Sequence, residues 1–122
     1  MKRILYVEDT QDNRELVCQM LEDLYEVDTA NDGEEGLEKA RNQQPDLMLI
    51  DISLPVMDGL TLTRHIRGDD SLRDIPIVAL TAHCMVGDRE KALAAGCDEF
   101  LSKPFRMSQL RDMVAQRLAA PR

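Results

Sequence analysis

The chain has 122 residues, of which 43% are hydrophobic and 31% charged, which is the size and mixture of one folded domain with one core rather than of a disordered tail. Its net charge of -8 would repel a phosphate backbone, so direct nucleic-acid binding is not expected. No apolar run approaches the roughly 18 to 20 residues of a membrane span, and no signal-peptide pattern follows Met1-Lys2-Arg3, so the expected location is the cytoplasm, away from membranes.

Ile4-Leu5-Tyr6-Val7 is a short apolar run of strand type, and Leu16, Val17, Met20, Leu21 and Leu24 follow it at helical spacing. Glu26 to Ala30 alternates in polarity, as a strand at a sheet edge would. Gly33 to Gln43 has a helical pattern that must stop before Pro45, and Leu47 to Ile50 is again a buried strand. Asp58 to Arg67 then predicts a helix, Ile75 to Leu80 a strand, and Val86 to Ala95 a helix closed by Gly96. Glu99 to Ser102 and Met107 to Leu118 form the last strand and helix. Five such pairs imply an α/β domain with a mostly parallel sheet, because parallel strands need crossover helices. The domain is expected to occupy residues 1–118, leaving 119–122 as a short tail with no output domain.

Cys18, Cys84 and Cys97 are odd in number and lack C-x-x-C spacing, so they are read as reduced packing residues. His65 and His83 have no spacing partner for metal ligation and are read as ordinary surface residues.

In open α/β sheets ligands bind beyond the carboxyl ends of the strands. The first strand run ends in Glu8-Asp9, the third in Asp51, the fourth in Thr81 and the fifth in Lys103-Pro104. Each residue taken alone has a plain structural use: acidic residues cap turns and helices, a strand-terminal threonine packs, and a lysine is usually a solvated charge. Together on one rim they suit phosphoryl transfer to a carboxylate. Three carboxylates in close proximity repel one another, and a hard divalent cation such as Mg²⁺ relieves that repulsion. Asp9 and Asp51 are the expected direct ligands, with Glu8 acting through water. Asp51 is the expected nucleophile, with the Lys103 ammonium and the Thr81 hydroxyl facing the phosphoryl oxygens.

The runs Ile4-Leu5-Tyr6-Val7-Glu8-Asp9, Asp46 to Gly59, Ala79-Leu80-Thr81-Ala82 and Phe100-Leu101-Ser102-Lys103-Pro104-Phe105 resemble the receiver domains of two-component response regulators, over essentially the whole chain. The resemblance implies a flavodoxin-like doubly wound (βα)5 sandwich with sheet order 2-1-3-4-5. It implies that Asp51 is the phosphorylated aspartate, that the Ser53 carbonyl joins Glu8, Asp9 and Asp51 around Mg²⁺, that Ala82 contacts the phosphate through its backbone, and that the Lys103-Pro104 bond is cis. It further implies a switch pair, Thr81 and Phe100, in which the ring turns inward when the hydroxyl moves to the phosphate. Phe100 stands where the family often has tyrosine, which removes a phenolic hydroxyl. Ser53 and His83 stand where the family varies and sets its rate of self-dephosphorylation. A histidine kinase or histidine phosphotransfer protein is the implied donor, and a downstream protein is expected to read the fourth helix, fifth strand and fifth helix, where Arg89, Lys91, Arg111 and Arg117 offer charge.

The resemblance describes a signalling protein rather than an enzyme with its own substrate. The rival is a haloacid-dehalogenase-like phosphohydrolase with an aspartyl-phosphate intermediate, which wants a second aspartate two residues past the nucleophile where Ser53 stands. A flavodoxin-like cofactor carrier is disfavoured by the absence of tryptophan and of a glycine-rich phosphate loop after the first strand.

Overall fold

The computed structural model describes residues 1–54, 57–82 and 87–119. Along them run β1 (Arg3–Val7), α1 (Gln11–Leu21), β2 (Glu26–Ala30), α2 (Gly33–Gln43), β3 (Leu47–Asp51), α3 (Gly59–Arg67), β4 (Ile77–Thr81), α4 (Asp88–Ala95), β5 (Glu99–Ser102) and α5 (Met107–Ala119). The expectations placed on His83, Cys84 and Val86, and on the tail past Ala119, lie outside the described residues.

The strands form one parallel sheet in the order β2-β1-β3-β4-β5. Alternation along each strand divides the core into two layers. Leu5, Val7, Met48, Ile50, Ile77, Ala79 and Phe100 face one way and pack with Leu37, Ala40, Leu62, Ile66 and Ala92 of α2, α3 and α4. Ile4, Tyr6, Leu47, Leu49, Val78 and Leu80 face the other way and pack with Val17 and Leu21 of α1 and with Leu110 and Val114 of α5. β3 and β4 are buried along their whole length, as central strands of a doubly covered sheet must be. β2 is an edge strand, as its alternating polarity requires.

Helix ends follow local chemistry. Asp32 and Asp58 cap α2 and α3, each accepting a backbone N–H at 2.8 Å, from Glu35 and Thr61 respectively. Gly96 closes α4 with φ 115°, a left-handed conformation suited to glycine. The apolar spacing of α1 is only partly a core stripe: Val17 and Leu21 are buried, while Leu16 and Leu24 are exposed. The helix stops at Leu21, whose carbonyl accepts both the Leu24 and Tyr25 N–H groups, and this tightened turn brings Tyr25 rather than Leu24 against the core.

Cys18 and Cys97 are free thiols. Cys97 is buried 3.6 Å from the Thr63 hydroxyl, and burial pushes its pKa up, which makes it an inert packing residue.

Candidate functional site

The register of the ladders assembles the site. Val7 pairs with Ala30 and Ile50, Asp51 with Leu80, and Thr81 with Ser102, so the strands finish within a residue or two of one another on one rim. Glu8 extends β1 by one bond, its N–H donating to the Ala30 carbonyl at 2.9 Å. Lys103 follows β5 with its N–H on the Thr81 carbonyl at 2.7 Å, and the Lys103-Pro104 bond is cis.

Glu8 is 1% exposed and Asp51 6%, and a buried carboxylate persists only where donors surround it. Glu8 Oε1 accepts the Thr10 N–H at 3.2 Å and the Asn13 amide at 3.3 Å. Glu8 Oε2 accepts the Tyr6 hydroxyl and the Lys103 ammonium, both at 3.2 Å. Asp51 Oδ1 accepts the Ser53 N–H at 2.9 Å, and Asp51 Oδ2 lies 3.6 Å from Lys103 Nζ. Thr81 is buried at the end of β4, while Asp9, Ser53 and Ala82 are exposed at the rim. Asp9 therefore stands on the solvent side of a cluster whose other two members lie inside.

The Asp51 backbone is held by close packing. Ile52 N–H donates to the Leu80 carbonyl and Gly59 N–H to the Ile52 carbonyl, each at 3.0 Å. A Cβ on Gly59 would lie 2.8 Å from Ile52 Cα and overlap the Asp51 carbonyl oxygen. The start of α3 can sit on the Asp51 backbone only because residue 59 has no side chain.

Oxygens of Glu8, Asp9 and Asp51 lie within 4.8 Å of one another. Without a cation the two buried acids divide their charge unequally. Burial pushes Asp51 up to about 6, aided by its hydrogen bond with Glu8 and opposed by the Ser53 N–H and Lys103. Burial also penalises Glu8, but its bond with Asp51, the Lys103 charge and the Asn13 amide together hold it down at about 2. The two buried carboxyls thus resist carrying full charge side by side, and a hard cation among these oxygens would relieve that. The donor set fits Mg²⁺: carboxylate oxygens, one of them solvent-facing, with room for water on that side.

The structure brings together Glu8, Asp9, Asp51 and Lys103, and places Thr81 at the end of β4 beside them on the same rim. Phe100 lies apart, 9% exposed, in the layer of α2, α3 and α4. Arg89 and Lys91 are exposed on α4, but Arg111 is tied to α1 through the Met20 carbonyl and Asp23, and Arg117 to Glu99. Two of the four charges expected to meet a partner are therefore also engaged in bracing α5.

Sequence reasoning gave no individual role to Tyr6, Asn13 or Gly59. A signal for Tyr6 was present, since it precedes Glu8 by two residues and so projects to the same side of the strand.

Comparison with known proteins agrees with this geometry. The model of the response regulator receiver domain matches residues 4–115. The polar-differentiation response regulator DivK of Brucella anthropi is 38% identical over 114 residues, 93% of each chain. Hybrid signal transduction histidine kinase G of Dictyostelium discoideum is 45% identical over 116 residues, which span 92% of this chain but 3% of that protein. Among solved structures, the receiver domain of a sensor histidine kinase of Pseudomonas aeruginosa, determined with a magnesium ion coordinated in its active site cleft, aligns with TM-score 0.91 and 38% identity over 98% of both chains. Vibrio cholerae chemotaxis protein CheY4 aligns with TM-score 0.89 and 32% identity over 95% of this chain and 98% of that one. With its sheet order, its acidic rim and nearly its whole length accounted for in this way, the chain belongs to the receiver domains of response regulators.

Proposed function

We propose that Asp51 accepts a phosphoryl group from a phosphohistidine of a histidine kinase or histidine phosphotransfer protein, and that the chain signals through a resulting change in α4, β5 and α5. The observation that carries this reading is a buried, backbone-anchored carboxylate at a strand end with a lysine ammonium 3.6 Å away and two further carboxylates beside it. In the transfer, an Asp51 carboxylate oxygen bonds to phosphorus as the donor's phosphorus–nitrogen bond breaks, its electron pair staying on the imidazole. Lys103 pairs with a phosphoryl oxygen and the Thr81 hydroxyl donates to another, while the Ala82 backbone borders the same space. Mg²⁺ held by Asp9, Asp51 and the Ser53 carbonyl, with Glu8 reached through water, would supply the positive charge that offsets the spreading negative charge. Ser53 carries no carboxyl group to activate a separate substrate's leaving group, which favours a signalling protein over a phosphohydrolase. The reading places the receiver at residues 1–118, in the cytoplasm, with a protein and not a nucleic acid as its output partner. No helix among the described residues is long and apolar enough to cross a membrane.

Titrating the chain with beryllofluoride, an aspartyl-phosphate mimic, in the presence of Mg²⁺ should shift the nuclear magnetic resonance signals of Asp9, Asp51 and Lys103 and also signals within residues 87–118. Unmoved signals at Asp9 and Asp51 would refute phosphoacceptance there. Changes limited to the rim, with 87–118 silent, would refute the output surface.

Mg²⁺ alone should raise the melting temperature at constant ionic strength, because it binds the folded cluster and not the unfolded chain; saturation at a hundred times Kd corresponds to about 2.7 kcal/mol. Asp9→Ala should lose most of that rise. An undiminished rise would place the ion elsewhere.

A further inference from the structure

The two donors on Glu8 Oε2 differ in how freely they can leave. Tyr6 lies on β1, fully buried in the layer of α1 and α5, and its hydroxyl reaches Oε2 at 3.2 Å. Lys103 lies on the segment after β5, reaches the same oxygen at 3.2 Å, and also stands 3.6 Å from Asp51 Oδ2. Oε1 is separately satisfied by Thr10 and Asn13. A phosphoryl group on Asp51 would compete with Glu8 for the Lys103 ammonium, which stands between the two carboxylates. A carboxylate oxygen that loses its protein donors inside a protein bears part of the desolvation cost of that lone pair.

We infer that Tyr6 is a positioning residue for phosphoryl-group binding: its hydroxyl keeps Glu8 hydrogen-bonded and oriented when Lys103 leaves Glu8 for the group on Asp51. The inference rests on the phosphoacceptor role proposed above for Asp51 and Lys103. A phenol suits this duty better than a second ammonium, since it is neutral and adds no positive charge to repel Lys103 or a cation on the neighbouring carboxylates. Its ring is held by the core, so the hydroxyl stays in place while the lysine moves. Tyr6 thereby divides the work on one oxygen between a fixed donor and a transferable one.

The test compares Tyr6→Phe with the unchanged chain, since that substitution removes the hydroxyl and keeps the ring. In the free protein Lys103 still serves Oε2, so the melting temperature without ligands should stay close to that of the unchanged chain, and Mg²⁺ affinity should change by less than about threefold. Affinity for beryllofluoride in saturating Mg²⁺ should fall by about tenfold, within the range expected when a buried acceptor loses its fixed protein donor. Equal beryllofluoride affinity in the two proteins, or a loss matched by an equal loss of Mg²⁺ affinity, overturns the inference. Failure of the unchanged chain to bind beryllofluoride overturns the phosphoacceptor reading itself, and this inference with it. A second readout holds even if Tyr6→Phe folds poorly. The chain has no tryptophan and two tyrosines, Tyr6 and Tyr25, so in Tyr25→Phe the emission comes from Tyr6 alone. That emission should change when beryllofluoride is added to the Mg²⁺-loaded protein, and unchanged emission overturns the inference.

Discussion

Asp51→Asn is expected to abolish phosphorylation by acetyl phosphate and Mg²⁺ while leaving the domain folded. The amide oxygen can still accept the Ser53 N–H, now made at 2.9 Å to Asp51 Oδ1, so the turn after β3 keeps its anchor. What disappears is the only feature the chemistry cannot replace at this position, an anionic oxygen able to attack phosphorus. The metal-free domain should also lose one source of pH dependence. The folded state raises Asp51 from 3.8 to about 6, so folding favours the protonated form. The stabilisation from that proton is complete below about pH 4 and is lost as pH rises through about 6, where burial of the bare carboxylate opposes folding. Asp51→Asn should flatten that part of the profile. Intact and peptide mass spectrometry decides the chemical claim, and a mass gain of one phosphoryl group on Asp51→Asn, localised to any other rim residue, would sink the assignment.

How far this centre could be read from the sequence depends on the distance over which its causes act. Glu8, Asp9, Asp51, Thr81 and Lys103 were legible because each directly ends a strand run, and parallel register converts strand ends into spatial neighbours without further information. The elements were legible for a similar reason, since apolar period and capping residues such as Asp58 are local. Misreadings arise where a residue's surroundings come from a distant segment. Leu16 and Leu24 have the spacing of a buried stripe, but Leu16 faces away from the core on α1 and Leu24 lies past the end of that helix. Arg111 and Arg117 look like free surface charge until α5 is packed beside Asp23 and Glu99. Gly59 sits inside a recognisable motif, yet its reason, contact with the Asp51 and Ile52 backbone, exists only in three dimensions.

Arg67 is the residue whose importance is most fully hidden in the sequence, and Arg67→Ala is expected to cost about 3 to 5 kcal/mol of stability. In the sequence it is a basic residue in the last turn of α3, where a solvated charge favours the helix dipole by a few tenths of a kcal/mol to about 1. In the folded chain its side chain is 14% exposed and ties together segments at the amino ends of β4 and β5. Its Nε donates to the Gly96 carbonyl at 2.9 Å, and Nη1 to the Arg73 and Ile75 carbonyls at 2.9 and 2.7 Å. Nη2 meets Asp98 Oδ2 at 3.0 Å, and that same oxygen accepts the Ile77 N–H at 2.9 Å. Gly96 shares the constraint, since a Cβ there would lie 2.6 Å from Arg67 Cγ. Removing the guanidinium strips a 10%-exposed carboxylate of its cation and three carbonyls of a donor, and the loss belongs among the larger values seen for single substitutions. Arg67→Lys should recover less than half of it, because one ammonium cannot span acceptors that a planar fork reaches in several directions. This cluster lies at the opposite end of the strands from Asp51, so the rate of phosphorylation by acetyl phosphate, measured where the variant is still folded, should remain within about twofold. Urea unfolding provides the measurement, and a loss below about 1 kcal/mol for Arg67→Ala would show that Arg67 is the solvated helix-end charge its sequence position suggests.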